Sequence, residues 1–177
     1  MFEDCCSRRS MLLARRLTES GVPVVQVCAG AGDLAGGGGD NWDTHRGHFP
    51  KMKNRLLPVF DRSCAVLLTD LNQRGLLDET RVVFLTDFGR TPKINSNGGR
   101  DHYPAVYSVV LAGGGIRGGQ VYSRSDSSGA RVEAGLCSPG DIHATVYDCL
   151  GIAHDTELED QLGRPFQICT GRPLPLL

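Results

Sequence analysis

Leu12, Leu13 and Leu17 recur at helical spacing ahead of Gly21, a residue suited to the position just past a helix end. A longer stripe of Leu56, Phe60, Cys64, Leu67, Leu68 and Leu71 predicts one extended amphipathic helix closed by Gly75. Short, largely apolar segments run between and after them: Val22 to Val27, Arg81 to Leu85 and Val106 to Ala112. Each predicts a strand, and Val82-Val83-Phe84-Leu85 has the unbroken apolar character of a buried parallel one. Ser138-Pro139-Gly140-Asp141 reads as an N-cap serine followed by a first-turn proline. It opens a helix through Ile142, Val146 and Leu150, closed by Gly151. This alternation predicts an α/β fold with a mainly parallel sheet, as a single domain over residues 1–177. The Gly/Pro-punctuated tail, residues 156–177, is expected to wrap the surface.

Bulk properties narrow the function classes. With 177 residues, one domain can bury about 70% of the surface that its unfolded chain exposes. The net charge is −1 and no Lys/Arg cluster interleaves with aromatics, so nucleic acid is not an implied partner. Seven cysteines are scattered without a CxxC pair, which speaks against a disulfide framework; Cys28, Cys64 and Cys149 read as small core residues. No run of 18 apolar residues exists, so no membrane span is expected. Ser7-Arg8-Arg9-Ser10-Met11-Leu12 superficially resembles a twin-arginine export signal, but Arg15, Arg16 and Glu19 interrupt the apolar region such a signal requires. The segment reads as an amphipathic helix, and without a signal peptide the default location is cytoplasmic.

The candidate chemistry gathers at predicted strand ends. Asp87 follows the second strand, Asp101 and His102 precede the third, and Trp42-Asp43-Thr44-His45 lies beyond the first. In open α/β sheets that rim is where ligands bind. Asp43 and His45 are two apart, so in an extended segment both face one way and can converge on a divalent ion; the alternative is an exposed loop with an Asx turn. His48 is a third candidate. Asp87 reads as a metal ligand, an acid orienting Arg90, or a cap of its own turn. Arg90 could hold an oxyanion with its planar fork or pair with Asp87. His102 reads as a ligand or a structural histidine, with adjacent Asp101 orienting a histidine from behind. Gly113 to Gly118 matches GxGxxG, yet the residues after it open no convincing helix, as a dinucleotide site requires. Cys137-Ser138-Pro139-Gly140 lacks the arginine of a sulfatase signature, and an N-cap explains it better.

Several of these stretches resemble a known family. Leu12-Leu13-Ala14-Arg15-Arg16-Leu17, Trp42-Asp43-Thr44-His45, Arg74-Gly75-Leu76-Leu77-Asp78-Glu79-Thr80, Phe88-Gly89-Arg90-Thr91-Pro92, Gly99-Arg100-Asp101-His102-Tyr103-Pro104 and Leu111 to Gly119 look like the C-terminal half of the bacterial family called domain of unknown function 1501. That family is similar to the alkaline phosphatase, sulfatase and phosphoglycerate mutase superfamily, whose late helix Asp141 to Ile152 resembles.

The resemblance implies part of an alkaline-phosphatase-like α/β/α sandwich and a metal-dependent hydrolase of phosphate or sulfate esters. Asp43, His45, Asp87 and His102 would hold a divalent ion (zinc, manganese, calcium or magnesium), and Arg90 the anionic ester. Phe88 stands where the superfamily has a metal-binding histidine, and Asp87 where the family usually has glutamate, so the site is expected to be incomplete. The nucleophile is expected in an N-terminal half that this chain lacks, leaving it inactive alone. Completion by that half, or self-association through an exposed strand edge such as Val24, Val25 and Val27 or Val106, Val109 and Val110, is the implied partnership. Two other readings stand beside the hydrolase. One is a non-catalytic binding or assembly module, which Phe88 favours; the other is a nucleotide-binding domain using the glycines at Gly113.

Overall fold

The computed structural model describes residues 6–29 and 41–176. They form two compact units: residues 6–29 and 41–80 with 86–108, and residues 81–85 with 109–176. Both mix helices with short strand pairs. Among the described residues no helix is long and apolar enough to cross a membrane.

In the first unit, helix α1 (Cys6–Glu19) packs on α3 (Leu57–Gln73). The expected helix at Leu12, Leu13 and Leu17 is present, but Met11, Ala14 and Arg15 form its buried face while Leu12 and Leu13 point outward. Arg15 pairs with Asp70 at 2.7 Å, and Arg74 pairs with Asp70 at 2.8 Å and Glu19 at 3.0 Å, tying the two helices together. The predicted long stripe holds: Leu56, Cys64 and Leu71 are buried, with Phe60, Leu67 and Leu68 half-buried beside them. The helix begins earlier than the stripe, as α2 (His48–Lys51) and a π-helical turn (Met52–Leu56) running into α3. Pro58 accounts for the widened turn, since it cannot donate to the carbonyl four residues back and its ring crowds that carbonyl. Gly75 follows the helix with φ 71°.

Val22 to Val27 is not a strand. Pro23 removes a ladder donor within the run, Val24 is exposed, and no described strand pairs with it. The outer-edge role for Val24, Val25 and Val27 falls with it. Instead the sheet content of this unit is β2 (Gly89–Arg90) against β3 (His102–Tyr103), antiparallel, with Arg90 opposite His102. The glycine-rich stretch, residues 30–40, lies outside the described residues.

In the second unit β1 (Val82–Phe84) pairs with β4 (Val110–Ala112), also antiparallel. The third predicted strand is thus confined to its last residues, and Val106 and Val109 lie outside it. The mainly parallel sheet read from the sequence is not found among the described pairings, all of which are antiparallel. The reason lies in the connection: residues 85–109 contain no helix, whereas a parallel return needs a crossover, usually a helical one. Two hairpins, β5 (Arg124–Ser125) with β6 (Val132–Ala134) and β7 (Glu157–Glu159) with β8 (Pro165–Gln167), complete the strands. The tail supplies β7 and β8 and then returns Leu174 and Leu176 to a core around Ile142. Cys64 is buried as expected, but Cys28 and Cys149 are exposed, and these three are free thiols, as are Cys137 and Cys169. Residues 113–119 turn without opening a helix.

Helix α4 (Pro139–Cys149) begins where its sequence says it should. Ser138 Oγ accepts from Asp141 N at 3.2 Å, and Asp141 Oδ2 accepts from Ser138 N at 2.8 Å, a reciprocal capping box. Ser138→Ala should cost about 1 kcal/mol, read from chemical denaturation. Asp141 Oδ1 also accepts from Arg172 N at 2.9 Å, pinning the tail to the helix start. Backbone N–H groups of Arg172 and Ser138, then the Ser138 hydroxyl, hold the Asp141 carboxyl below the usual aspartate range. A depressed folded pKa stabilises above the unfolded value of roughly 3.9 and stops doing so as pH falls through the folded value. The Tm advantage of the native chain over Asp141→Asn should therefore persist at pH 5 and shrink below about pH 4. An advantage that does not change with pH would contradict this.

Candidate metal centre

The segment 41–48 closes against the loop 95–100. Arg100 N donates to Thr44 O at 3.1 Å, Gly47 N to Asn97 O at 3.2 Å and His48 N to Gly98 O at 2.9 Å, and Arg46 bridges Gly98. The β2–β3 pairing then carries Arg90 and His102 to the same place. Gly99 permits the closure: a Cβ there would lie 2.0 Å from the backbone carbon and oxygen of His45.

Three side chains meet as a result. Asp43 Oδ1 is 3.0 Å from His45 Nε2 and 3.0 Å from His102 Nε2, and the two Nε2 atoms are 3.2 Å apart. A triangle of that size has a circumscribed circle of roughly 1.8 Å radius, so an ion about 2.0–2.1 Å from each corner fits roughly 1 Å above its plane. All three side chains are partly exposed, so the triangle reaches solvent. The donor set agrees with the geometry. Asp101 Oδ1 lies 2.7 Å from His45 Nδ1, a partner suited to an Nδ1 proton, and the contact turns Nε2 toward the triangle. Asp43 Oδ1 is an acceptor, and its 3.0 Å approaches to both Nε2 atoms call for a proton or a metal ion among them. Two imidazoles and one carboxylate suit zinc or manganese better than calcium or magnesium, which prefer all-oxygen shells.

The two acids at the triangle are held in their charged form. Hydrogen bonds from His102 and then Arg90 bring the Asp43 carboxyl down to about 2. His45, then Asn95, lower that of Asp101. Both acids are ionised at neutral pH. Arg90 Nη2 donates to Asp43 Oδ1 at 2.6 Å and to Trp42 O at 3.2 Å, while Nη1 donates to Arg100 O at 3.2 Å. The fork therefore braces Asp43, and its carboxylate partner is Asp43 in place of the Asp87 that the sequence suggests.

The other candidates lie outside the triangle. Asp87 Oδ1 accepts from Phe88 N at 2.9 Å and from Thr86 Oγ1 at 3.0 Å, capping its own turn. The Phe88 ring rests on the His102 ring with centroids 4.2 Å apart. His48 Nδ1 is 2.6 Å from Oγ1 of the buried Thr44, and its ring meets Phe49 edge-on at 5.2 Å. Burial first, then Arg100 and Arg90, lowers its pKa. His48 thus supports the buried base of the segment rather than the triangle. Sequence reasoning missed Asn95 and Gly99. The run Asn95-Ser96-Asn97-Gly98-Gly99 signals a turn, but nothing local tells what the turn touches.

The profile of the family described as "Protein of unknown function (DUF1501)" matches residues 6–175, and the chain belongs to that family. No curated protein and no solved structure matches it.

Proposed function

From membership of this family and the convergence of Asp43, His45 and His102, we propose a sulfatase/phosphatase-like protein that binds one divalent ion and an anionic ester. The single observation behind this reading is the triangle of donor atoms, which is of a size and chemistry to hold an ion. The ion would polarise an ester oxygen or acidify a water molecule. The chain's own residues do the rest. Asp43 and the two histidines hold the centre, Asp101 orients His45, and Arg90 places a fixed positive charge beside Asp43 that favours an anion on the solvent side. The proposed frame is a partial alkaline-phosphatase-like α/β/α sandwich, supported by the motif resemblance.

One observation favours the second reading, a non-catalytic binding or assembly module. Phe88 covers His102, and Asp87 is committed to its own turn, so the described residues furnish one ion site rather than a two-ion clamp. Elemental analysis after loading with zinc or manganese should find one tightly held ion per chain; two would refute the one-ion proposal. Turnover of aryl phosphate and aryl sulfate should be slow at most. Ion-dependent turnover that vanishes in His102→Ala supports the hydrolase, ion binding without turnover supports the module, and robust turnover lost in Asp87→Ala would restore a two-ion site.

A further inference from the structure

We infer that Asn95 is a positioning residue for the metal centre, holding His45 and Asp101 in register so that His45 Nε2 faces the triangle. The side-chain amide of Asn95 uses all four of its hydrogen-bonding positions. Its Oδ1 accepts from Asn97 N at 3.0 Å and from Gly99 N at 2.9 Å, which shapes the turn that closes on residues 45–48. Its Nδ2 donates to His45 O at 3.1 Å and to Asp101 Oδ1 at 3.0 Å. The same Asp101 oxygen lies 2.7 Å from His45 Nδ1. One amide thereby grips the backbone of a ligand residue and the carboxylate that sets its tautomer. The partners also settle which amide atom is which, because N–H groups face Oδ1 and oxygens face Nδ2.

Asn95→Asp isolates this role. It keeps the oxygen that shapes the turn and replaces the two donors with a negative oxygen facing His45 O and the Asp101 carboxylate. The dependence on the metal reading is confined to its consequence for affinity, since the tautomer belongs to the metal-free chain. Long-range proton–nitrogen NMR of metal-free protein labelled at histidine should show His45 protonated at Nδ1. In Asn95→Asp that pattern should be lost, and zinc binding should weaken by about 10–100-fold, the size of other losses behind a metal ligand. An unchanged His45 pattern in Asn95→Asp overturns the inference whatever happens to zinc. A changed pattern in a protein that binds no zinc upholds it and refutes the metal centre instead. Should Asn95→Asp fail to fold, the unaltered protein decides: the Asn95 Nδ2 protons should exchange slowly and shift in Asp101→Asn. Rapid exchange with no shift overturns it.

Discussion

His102→Ala is expected to weaken zinc binding by at least about 100-fold, measured by competition with a chromophoric chelator. Removing a residue that merely orients a metal ligand costs about 10–100-fold, so removing one of three ligands belongs at or beyond the upper end. His102 Nε2 sits 3.0 Å from Asp43 Oδ1 and 3.2 Å from His45 Nε2, and two donors would be left where three converged. Asp87→Ala supplies the contrast: its carboxylate binds its own turn, so affinity should stay within about twofold, inside the range of surface substitutions. Equal affinity in native protein and His102→Ala would make His102 structural. A large loss in Asp87→Ala would return that acid to the ligand set.

Gly99→Ala should be strongly destabilising. The new Cβ would meet the backbone carbon and oxygen of His45 at 2.0 Å and Arg46 N at 2.5 Å, and backbone atoms cannot swing aside as a side-chain end can. Overpacking costs typically 1–3 kcal/mol, and a clash with backbone belongs near about 3 kcal/mol. For a chain of this length that lowers Tm by roughly 6–12 °C. Gly118→Ala is the control, because a Cβ there meets nothing within 4 Å and the expected change is within about 0.5 kcal/mol. Zinc affinity should fall along with stability in Gly99→Ala, since the displaced backbone carries His45. Unchanged Tm and affinity would mean that segments 41–48 and 95–100 do not lie as close as described.

The helices and the chemistry-bearing segments were legible because their signals are local. The stripe from Leu56 to Leu71 has helical period, and Ser138-Pro139 with Asp141 writes a capping box into consecutive residues. Asp43 and His45, two apart, point to a shared metal, and Asp101 next to His102 suggests a carboxylate behind a histidine. That carboxylate in fact faces His45, 56 residues away in the chain. The strand at Val22 to Val27 failed on a local signal that was present, Pro23. The parallel sheet failed for a different reason. An apolar run says that a segment is buried, whereas pairing direction depends on where the chain goes between runs.

What the sequence determined by itself, then, is the helices, the cap of α4 and the pool of residues from which a metal site could be drawn. Tertiary structure alone decided which of them meet. Asp43, His45 and His102 converge, while Asp87 and His48 stay outside, because Gly99 and Asn95 let the 95–100 loop close on residues 43–48. That closure rests on backbone approach and on hydrogen bonds between residues some fifty positions apart. Neither leaves a periodic trace in the residues that make it.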